Sequence, residues 1–110
     1  MSFPYIFNDF EVIVMYESNF QKKLKKEIKE RFPGCIVYKL DPQQLQGSPD
    51  LLVLYEDKWG ALEVKKDRKA SHRPNQDLRV KQMNEMSFAS FIFPENKEEV
   101  LNDMERLFKA

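Results

Sequence analysis

The sequence is poor in the residues that build disulfide frameworks and Cys/His zinc sites, since it holds one cysteine, Cys35, and one histidine, His72, in 110 residues. Any metal ion must therefore be held by oxygen ligands. No apolar run approaches the ~20 residues that cross a bilayer, and the N-terminus lacks the basic start and cleavage site of a secretory signal. These absences predict a soluble cytoplasmic protein, in the cytoplasm of the host cell if the source is viral, without a membrane partner.

The sequence also lacks net charge, with 18 Lys and Arg against 18 Asp and Glu, so no global field draws it to nucleic acid. Locally the charges separate, because basic residues gather at 22–31 and 65–73 and acidic residues at 95–105. The first basic cluster fits a solvated helix face with Lys–Glu pairs, or a surface that binds phosphates. The predicted nucleic-acid contacts are Lys22, Lys26, Lys66, Arg68, Lys69 and Arg73.

What the sequence does have is enough apolar residues for one core, with 42% hydrophobic and 13% aromatic residues and three glycines. This composition and the length predict a single domain over 1–110. Apolar spacing predicts first a helix from Tyr16 to Phe32 and then strands over 35–40, 51–55 and 61–65. A second helix follows from Pro74 to about Met86, with Leu78, Gln82 and Met86 on one side, and then a strand over 88–93. The last helix is predicted to face the core with Val100, Leu101, Met104, Leu107 and Phe108.

This order predicts the α/β class, with a three-strand meander joined through a crossover helix to a fourth strand. The result is a mixed four-stranded sheet flanked by helices, in the order αβββαβα. The strand at 51–55 is apolar on both faces, which is typical of a central strand covered on both sides.

Residues 1–14 form an aromatic N-terminal segment without a helical period, which predicts an extended arm or short strand. Its large apolar side chains are Phe3, Tyr5, Ile6, Phe7 and Phe10. Exposed together, they would form an apolar patch of the kind that marks an interface. The arm either folds back onto its own subunit or exchanges with a partner subunit, and the spacing does not decide between the two.

Charged residues stand in and beside two strands that should be buried, in the stretch GSPDLLVLYEDKWGALEVKK at 47–66. A turn centred near Asp57 places Asp50 opposite the neighbourhood of Glu63 and Lys65, and the last two share a face because they are two residues apart. Two carboxylates and an ammonium group therefore converge, and a hard cation such as Mg²⁺ would balance the negative charge. A structural Glu63–Lys65 pair on an exposed sheet face is the alternative.

The motifs GSPDLLVLY and ALEVKKD resemble those of the PD-(D/E)xK nucleases, most closely the VRR-NUC branch, and ESNFQKKL is similar to the first-helix pattern of that family. The resemblance runs from about Glu17 to Leu101 and implies a restriction-endonuclease-like core. It implies Mg²⁺, with Mn²⁺ as a substitute, held by Asp50, Glu63 and the backbone carbonyl of Val64.

The resemblance also implies roles for three further catalytic residues. Lys65 would orient or activate the attacking water, and Glu17 would bind the metal or its water. Gln76 corresponds to the glutamine that opens the crossover helix. The family usually has a serine three residues before that glutamine, whereas here Ser71 is five before.

Three functions follow as hypotheses. The first is a Mg²⁺-dependent DNA endonuclease, for which stand-alone members suggest branched, Holliday-junction-like DNA and which would act as a homodimer with two active sites. The second is a non-catalytic DNA-binding module that uses the two basic segments. The third is a phage-type accessory protein that assembles through its aromatic N-terminus. Paired carboxylates favour the first, because a pure binder gains nothing by presenting them to a polyanion. His72 is expected to be a solvated loop residue near phosphate and not a catalytic base.

Overall fold

The computed structural model describes the backbone of residues 9–41 and 43–110 and the side chains from residue 19 onward, Pro42 excepted. The elements are α1 (Asp9–Arg31), β1 (Ile36–Lys39), β2 (Leu51–Tyr55), β3 (Lys58–Val64), α2 (Gln76–Met86), β4 (Phe88–Ile92) and α3 (Lys97–Phe108). The predicted order αβββαβα is confirmed.

The sheet has the strand order β1-β2-β3-β4, with β1, β2 and β3 antiparallel and β4 parallel to β3. Helix α2 connects the two parallel strands, which is the crossover that the sequence predicts. Between β2 and β3 the turn is tight, and Glu56 adopts a left-handed backbone with φ of 55°. Leu51 pairs with Leu62, so the next step of the ladder sets Asp50 opposite Glu63.

Two apolar clusters cover the two faces of the sheet. The larger one joins α1 and α3 to the sheet through fully buried side chains that include Leu24, Ile28 and Leu101. Among its members, the rings of Phe32, Tyr55 and Phe108 pack within 5.1–5.6 Å of one another. Because burial of each large side chain contributes about 1.5–3 kcal/mol, this face fixes the positions of α1 and α3.

The smaller cluster lies under α2 and contains Ala61, Val80 and Ala89, with Leu52 and Met83 packed against it. Central strand β2 is therefore covered on both faces, as its apolar sequence predicts. Fewer apolar side chains pack on this second face of the sheet, because the charged residues of the site occupy part of it.

The start of α1 differs from the prediction, because residues 9–14 are helical and not part of an extended arm. Phe10, Ile13, Val14 and Glu17 follow the i, i+3, i+4, i+7 spacing of a helix. The β-branched residues of this segment masked that period, since they also favour strands. The remainder of the predicted arm, residues 1–8, lies outside the described residues.

The inward face of α2 also differs from the prediction. Leu78 and Met86 are 52% and 75% exposed, whereas Gln76 and Val80 are buried. A helix turns roughly 100° per residue, so burial of Gln76 carries Leu78 to the far side. The polar contacts of Gln76, described below, determine this rotation of α2, although the apolar pattern of the sequence predicts a different inward face.

No helix within the described part of the chain is long and apolar enough to span a membrane.

Candidate active site

Asp50 and Glu63 are brought together by the register of the β2–β3 hairpin. Asp50 directly precedes β2, and its Oδ2 accepts a hydrogen bond of 2.9 Å from the backbone N–H of Val64. Glu63 is the second-last residue of β3 and points to the face opposite Leu62 and Val64, which pack in the larger cluster. The predicted convergence of the two carboxylates is thus present in the structure.

Glu63 is 2% exposed, an unusual environment for a carboxylate. Its Oε2 is contacted by cationic and amide groups, but Oε1 is buried and has no hydrogen-bond partner. Burial and, after it, the negative charge of Asp50 raise the pKa of Glu63 to about 7, against the opposing effects of Lys65 and Arg73. Such a carboxylate is poised to gain a positively charged partner on its Oε1 side.

Lys65 follows β3 directly and is 8% exposed. Its Nζ donates to the carbonyl oxygen of Ser71 at 3.0 Å and to Oε1 of Gln76 at 2.8 Å, and it lies 3.5 Å from Oε2 of Glu63. An ammonium group has three hydrogens, so two of its donors are used in hydrogen bonds and one is left beside Glu63. Glu63 and Lys65 share a face, as predicted, but they lie in a buried site and not on an exposed sheet face.

Gln76 is the first residue of α2 and links the other groups of the site. Its Nε2 donates to Oε2 of Glu63 at 3.0 Å, while its Oε1 accepts from Lys65 and from the backbone N–H of Arg73, at 2.8 Å each. At 1% exposure it is fully enclosed. The position three residues before it, where the resemblance implies serine, is held by Arg73, and Ser71 contributes its backbone carbonyl to Lys65 instead.

The GSPD loop docks onto the start of α2 through Gly47. Gly47 has a φ of +81°, and a Cβ atom there would lie 2.5 Å from the carbonyl oxygen of Asn75. Asn75, itself left-handed with φ of 68°, donates from Nδ2 to Oε1 of Gln46 at 3.0 Å. This contact joins the loop that carries Asp50 to the helix that carries Gln76.

These residues border an open cavity of about 720 Å³. Its lining includes four residues that the sequence assigned to metal or catalysis and three that it assigned to nucleic acid. The full lining is Asp50, Glu63, Val64, Lys65, Lys66, Asp67, Lys69, Ala70, Ser71 and Arg73. The cavity lining therefore combines three carboxylates with four cationic side chains.

The remaining predicted site residues lie elsewhere. Lys22 and Lys26 line a separate groove on α1 with Lys25, Lys29 and Glu30. Arg68 is exposed beside the cavity, and its backbone N–H binds Oε2 of Glu95 at 3.1 Å. Glu17 belongs to α1, but its side chain lies outside the described residues.

Sequence reasoning missed the packing that supports the site. Gly47 and Asn75 carried no assignment, although a glycine and an asparagine are the residues that most readily adopt left-handed backbone. His72 stacks on Phe91 with ring centroids 4.1 Å apart, and its Nδ1 lies 2.6 Å from Oδ1 of Asp77. His72 is an exposed loop residue, as predicted, and these contacts also anchor the loop.

The oxygen donors of the site fit a hard divalent cation. Within the described side chains, no group of three or more His, Cys, Asp or Glu could hold a metal ion. Asp50 and Glu63 would therefore supply two carboxylates, and the Val64 carbonyl and water would complete the shell. Mg²⁺ is typically held by one or two carboxylates and keeps several waters, so this donor set is sufficient. The partnerless Glu63 Oε1 is the observation that fits such an ion.

Comparison with known proteins adds evidence on the fold. No protein-family model matches the chain, and no curated protein matches it. Among solved structures, a VRR_NUC domain is similar with a TM-score of 0.56 and 26% identity, over 74% of this chain and 92% of that chain. A Holliday junction resolvase, Hjc of Archaeoglobus fulgidus, is similar with a TM-score of 0.44 and 12% identity, over 73% of this chain and 67% of that chain.

The VRR_NUC likeness spans most of both chains and agrees with the motif residues quoted from the sequence. The predicted restriction-endonuclease-like core is confirmed. In fold and in the order of its motifs, this chain is VRR-NUC-like and resembles the PD-(D/E)xK nuclease superfamily.

Proposed function

We propose that this protein is a Mg²⁺-dependent DNA endonuclease that hydrolyses phosphodiester bonds. The observation that carries the proposal is the buried network in which Lys65 and Gln76 hold Glu63 beside Asp50 while Glu63 Oε1 has no partner. A protein that only bound DNA would have no use for two carboxylates at the floor of a cationic cavity, because they repel phosphate.

In the proposed reaction a water oxygen forms a bond to phosphorus and one P–O ester bond breaks. One proton of the water is released to solvent, and the leaving oxygen takes up a proton and becomes a hydroxyl. A bound divalent cation would lower the pKa of water and offset charge on the phosphate. The residues of this chain would hold the cation through Asp50, Glu63 and the Val64 carbonyl, with Glu17 contributing directly or through water.

Lys65 would position or activate the attacking water from the side of Glu63. Its hydrogen bonds to Ser71 and Gln76 hold the Nζ in one place, which reduces the reorganisation needed when charge develops. Gln76 would fix both Glu63 and Lys65 and so acts as a positioning residue. These roles rest on the contacts above and on the resemblance in sequence.

Branched DNA is the proposed substrate, with a homodimer as the active assembly. Basic residues border both the cavity and the α1 groove, which offers two surfaces for contacts with phosphates. The chain is too small to grip a branched duplex alone, so two copies with two active sites would make paired cuts.

The test is cleavage of a supercoiled plasmid and of a synthetic four-way junction, with Mg²⁺ or with EDTA. We expect cleavage with Mg²⁺ only, and more efficient cleavage of the junction than of a linear duplex of the same sequence. Asp50→Asn and Glu63→Gln should each lower turnover at least about 10³-fold, since each removes a carboxylate that holds the cation.

Metal binding and folding provide the controls for these two variants. Calorimetry should show loss of Mn²⁺ binding, and the melting temperature in EDTA should be unchanged or higher for Asp50→Asn, because the change relieves repulsion between two carboxylates. Unchanged Mn²⁺ affinity in both variants would refute the site assignment. DNA binding without cleavage by the wild type would favour the binding module, and absence of both activities would favour the assembly protein.

A further inference from the structure

Arg73 occupies the position at which the sequence departs from the family that it resembles. In place of a serine three residues before Gln76, the chain has an arginine, and its backbone N–H already performs a structural task by donating to Gln76 Oε1. The side chain therefore projects from a fixed point at the mouth of the cavity.

The guanidinium group of Arg73 lies near the carboxylate of Glu63 but does not form a close ion pair with it. Its Nη2 lies 4.0 Å from Glu63 Oε2, and the side chain is 58% exposed. An ion pair at this distance and exposure contributes little to stability, typically below about 1 kcal/mol. Among the described side chains, no closer carboxylate pairs with Arg73, so most of its five N–H donors remain free to bind a ligand.

Lys65 is less suited than Arg73 to bind a ligand, although it is the cation closest to Glu63. Two of its donors are used by Ser71 and Gln76, its Nζ forms an ion pair of 3.5 Å with Glu63, and the residue is nearly enclosed. Contact between Lys65 and a phosphate oxygen would compete with this ion pair or with one of the two hydrogen bonds. Of the two cations beside Glu63, only Arg73 combines free donors with access to the cavity.

Planar guanidinium groups match the geometry of phosphate oxygens through two parallel hydrogen bonds. Lys66 and Lys69 also line the cavity, but neither forms an ion pair with Glu63 in the described structure. They are thus suited to the flanking phosphates of a longer strand.

We propose that Arg73 is a catalytic residue whose guanidinium group binds the non-bridging oxygens of the phosphodiester that is cleaved. This inference rests on the proposed function and deepens it, because it assigns Arg73 to the phosphate that reacts and not only to general affinity for DNA. Negative charge that grows on these oxygens during hydrolysis would be stabilised by Arg73, which predicts an effect on turnover.

The first experiment separates turnover from affinity with Arg73→Ala, Arg73→Lys and Lys69→Ala on one cleavable duplex. Arg73→Ala should lower kcat about 10²-fold with a change in KM below about threefold, a loss typical of a donor that stabilises transition-state charge. Arg73→Lys should recover part of kcat, since it keeps the charge but not the two-pronged geometry. Lys69→Ala should raise KM.

The second experiment does not depend on cleavage. Dithymidine monophosphate has a single phosphodiester, so its binding in Ca²⁺, measured by NMR titration, reports the reacting position alone. Arg73→Ala should weaken this binding about tenfold or more. Lys81→Ala, which removes an exposed lysine of α2, is the matched control for loss of one positive charge and should bind as the wild type does.

The two experiments distinguish the outcomes. If the wild type binds the dinucleotide through Arg73 but does not cut DNA, the proposed nuclease function fails and the phosphodiester site stands. If Arg73→Ala binds the dinucleotide normally, or if the wild type does not bind it, the inference is overturned. An Arg73→Ala variant that raises KM with kcat unchanged also overturns it. Because Arg73→Ala keeps the backbone N–H to Gln76, circular dichroism should show an intact fold.

Discussion

Two cations of the site, Lys65 and Arg73, lie near the same carboxylate oxygen but differ in how their donors are used. Lys65 is enclosed and held by two hydrogen bonds and an ion pair, whereas Arg73 is exposed and largely free. A buried ammonium group with such contacts is held rigidly, because loss of any contact leaves a charge poorly solvated. We therefore expect Lys65 to influence both stability and chemistry, and Arg73 to influence chemistry with little effect on stability.

Lys65→Ala should abolish most turnover while the protein still binds Mn²⁺. The change removes no carboxylate, so the cation ligands remain, but Ser71 O loses its donor and Gln76 Oε1 keeps only the Arg73 N–H. Loss of two hydrogen bonds from a charged donor should cost about 1–3 kcal/mol, which should appear as a lower free energy of unfolding in urea. Calorimetry with Mn²⁺ and single-turnover cleavage are the two measurements. Near wild-type turnover in this variant would restrict Lys65 to a structural role.

At the level of elements, the site depends on how the loop before β2 meets the start of α2. Asp50 comes from the loop, Glu63 from β3 and Gln76 from α2, so their spacing requires that these three elements keep their relative positions. The contact of Gly47 with Asn75 closes one side of this arrangement. On the other side, the stack of His72 on Phe91 and the bond from Arg68 N–H to Glu95 fasten the 65–75 loop to β4 and the segment after it.

Gly47→Ala should destabilise the protein and lower turnover together. A Cβ atom would lie 2.5 Å from Asn75 O and 2.6 Å from Asn75 C, both backbone atoms, so the loop and α2 must separate. Left-handed backbone at a non-glycine residue adds about 1–2 kcal/mol of strain. We expect a total loss above about 2 kcal/mol in the free energy of unfolding, and a kcat reduced at least about tenfold because Gln76 moves relative to Asp50.

Gly34→Ala provides a matched control for this prediction. Gly34 has a similar φ of +88°, but a Cβ atom there would meet nothing within 4 Å. It should therefore show only the backbone strain, with kcat unchanged. Equal effects of the two substitutions on kcat would mean that the contact between the loop and α2 does not position the site.

Particular residues show what the sequence could and could not predict. Alternation along 61–65 and the hairpin turn were enough to place Asp50, Glu63 and Lys65 together, because strand geometry has a fixed period of two. The rotation of α2 was not predictable from apolar spacing, since it follows from burial of the polar Gln76 against Glu63 and Lys65. Gln76 was assigned to the site only through the family resemblance, and the structure places it in contact with Glu63 and Lys65.

The start of α1 was missed for a different reason. Aromatic and β-branched residues fit both helix and strand, and isolated propensity does not choose between them. Close approach of Gly47 to Asn75 depends on two loops meeting in space, so no local pattern could reveal it. Arg73 was predicted to bind nucleic acid, but its position beside Glu63 became visible only in the structure.

At the scale of the whole molecule, charged residues of α3 form ion pairs with charged residues of α1 that do not line the cavity. Arg31 lies 3.5 Å from Glu105 and 3.9 Å from Glu98 and also contacts Asn102, while Lys97 lies 2.9 Å from Glu27. Lys97 is partly exposed, and its hydrogen bond to Glu27 raises the pKa of its ammonium group. The zero net charge thus includes acidic groups that pair between helices. The cavity lining has four basic side chains against three acidic ones, and the α1 groove has four lysines against one glutamate.

Lys66 and Lys69 should contribute to affinity for DNA in a way that depends on salt and not on sequence. Replacement of both with Ala should weaken binding by a similar factor for every duplex and flatten the plot of log K against log [salt] by about two units of slope. The double substitution Lys22→Ala and Lys26→Ala tests the α1 groove in the same way, and Lys81→Ala is the reference for loss of charge elsewhere. A changed sequence preference with the same salt slope would contradict this interpretation.

Assembly is the last property of the whole molecule that can be tested, through residues 1–8. Phe3, Tyr5 and Phe7 precede α1 in the sequence, and a domain of this size has little free core surface to bury three more aromatic side chains. If they join two copies, deletion of residues 1–8 should convert a dimer into a monomer in light scattering. That monomer should still bind Mn²⁺ through Asp50 and Glu63, because the carboxylates belong to the loop before β2 and to β3 of a single chain. It should nick a four-way junction on one strand at a time, since paired cuts need two active sites in one complex. A truncated protein that remains dimeric and makes paired cuts would locate the interface elsewhere, with the exposed Ile36 and Tyr38 of edge strand β1 as the next surface to mutate.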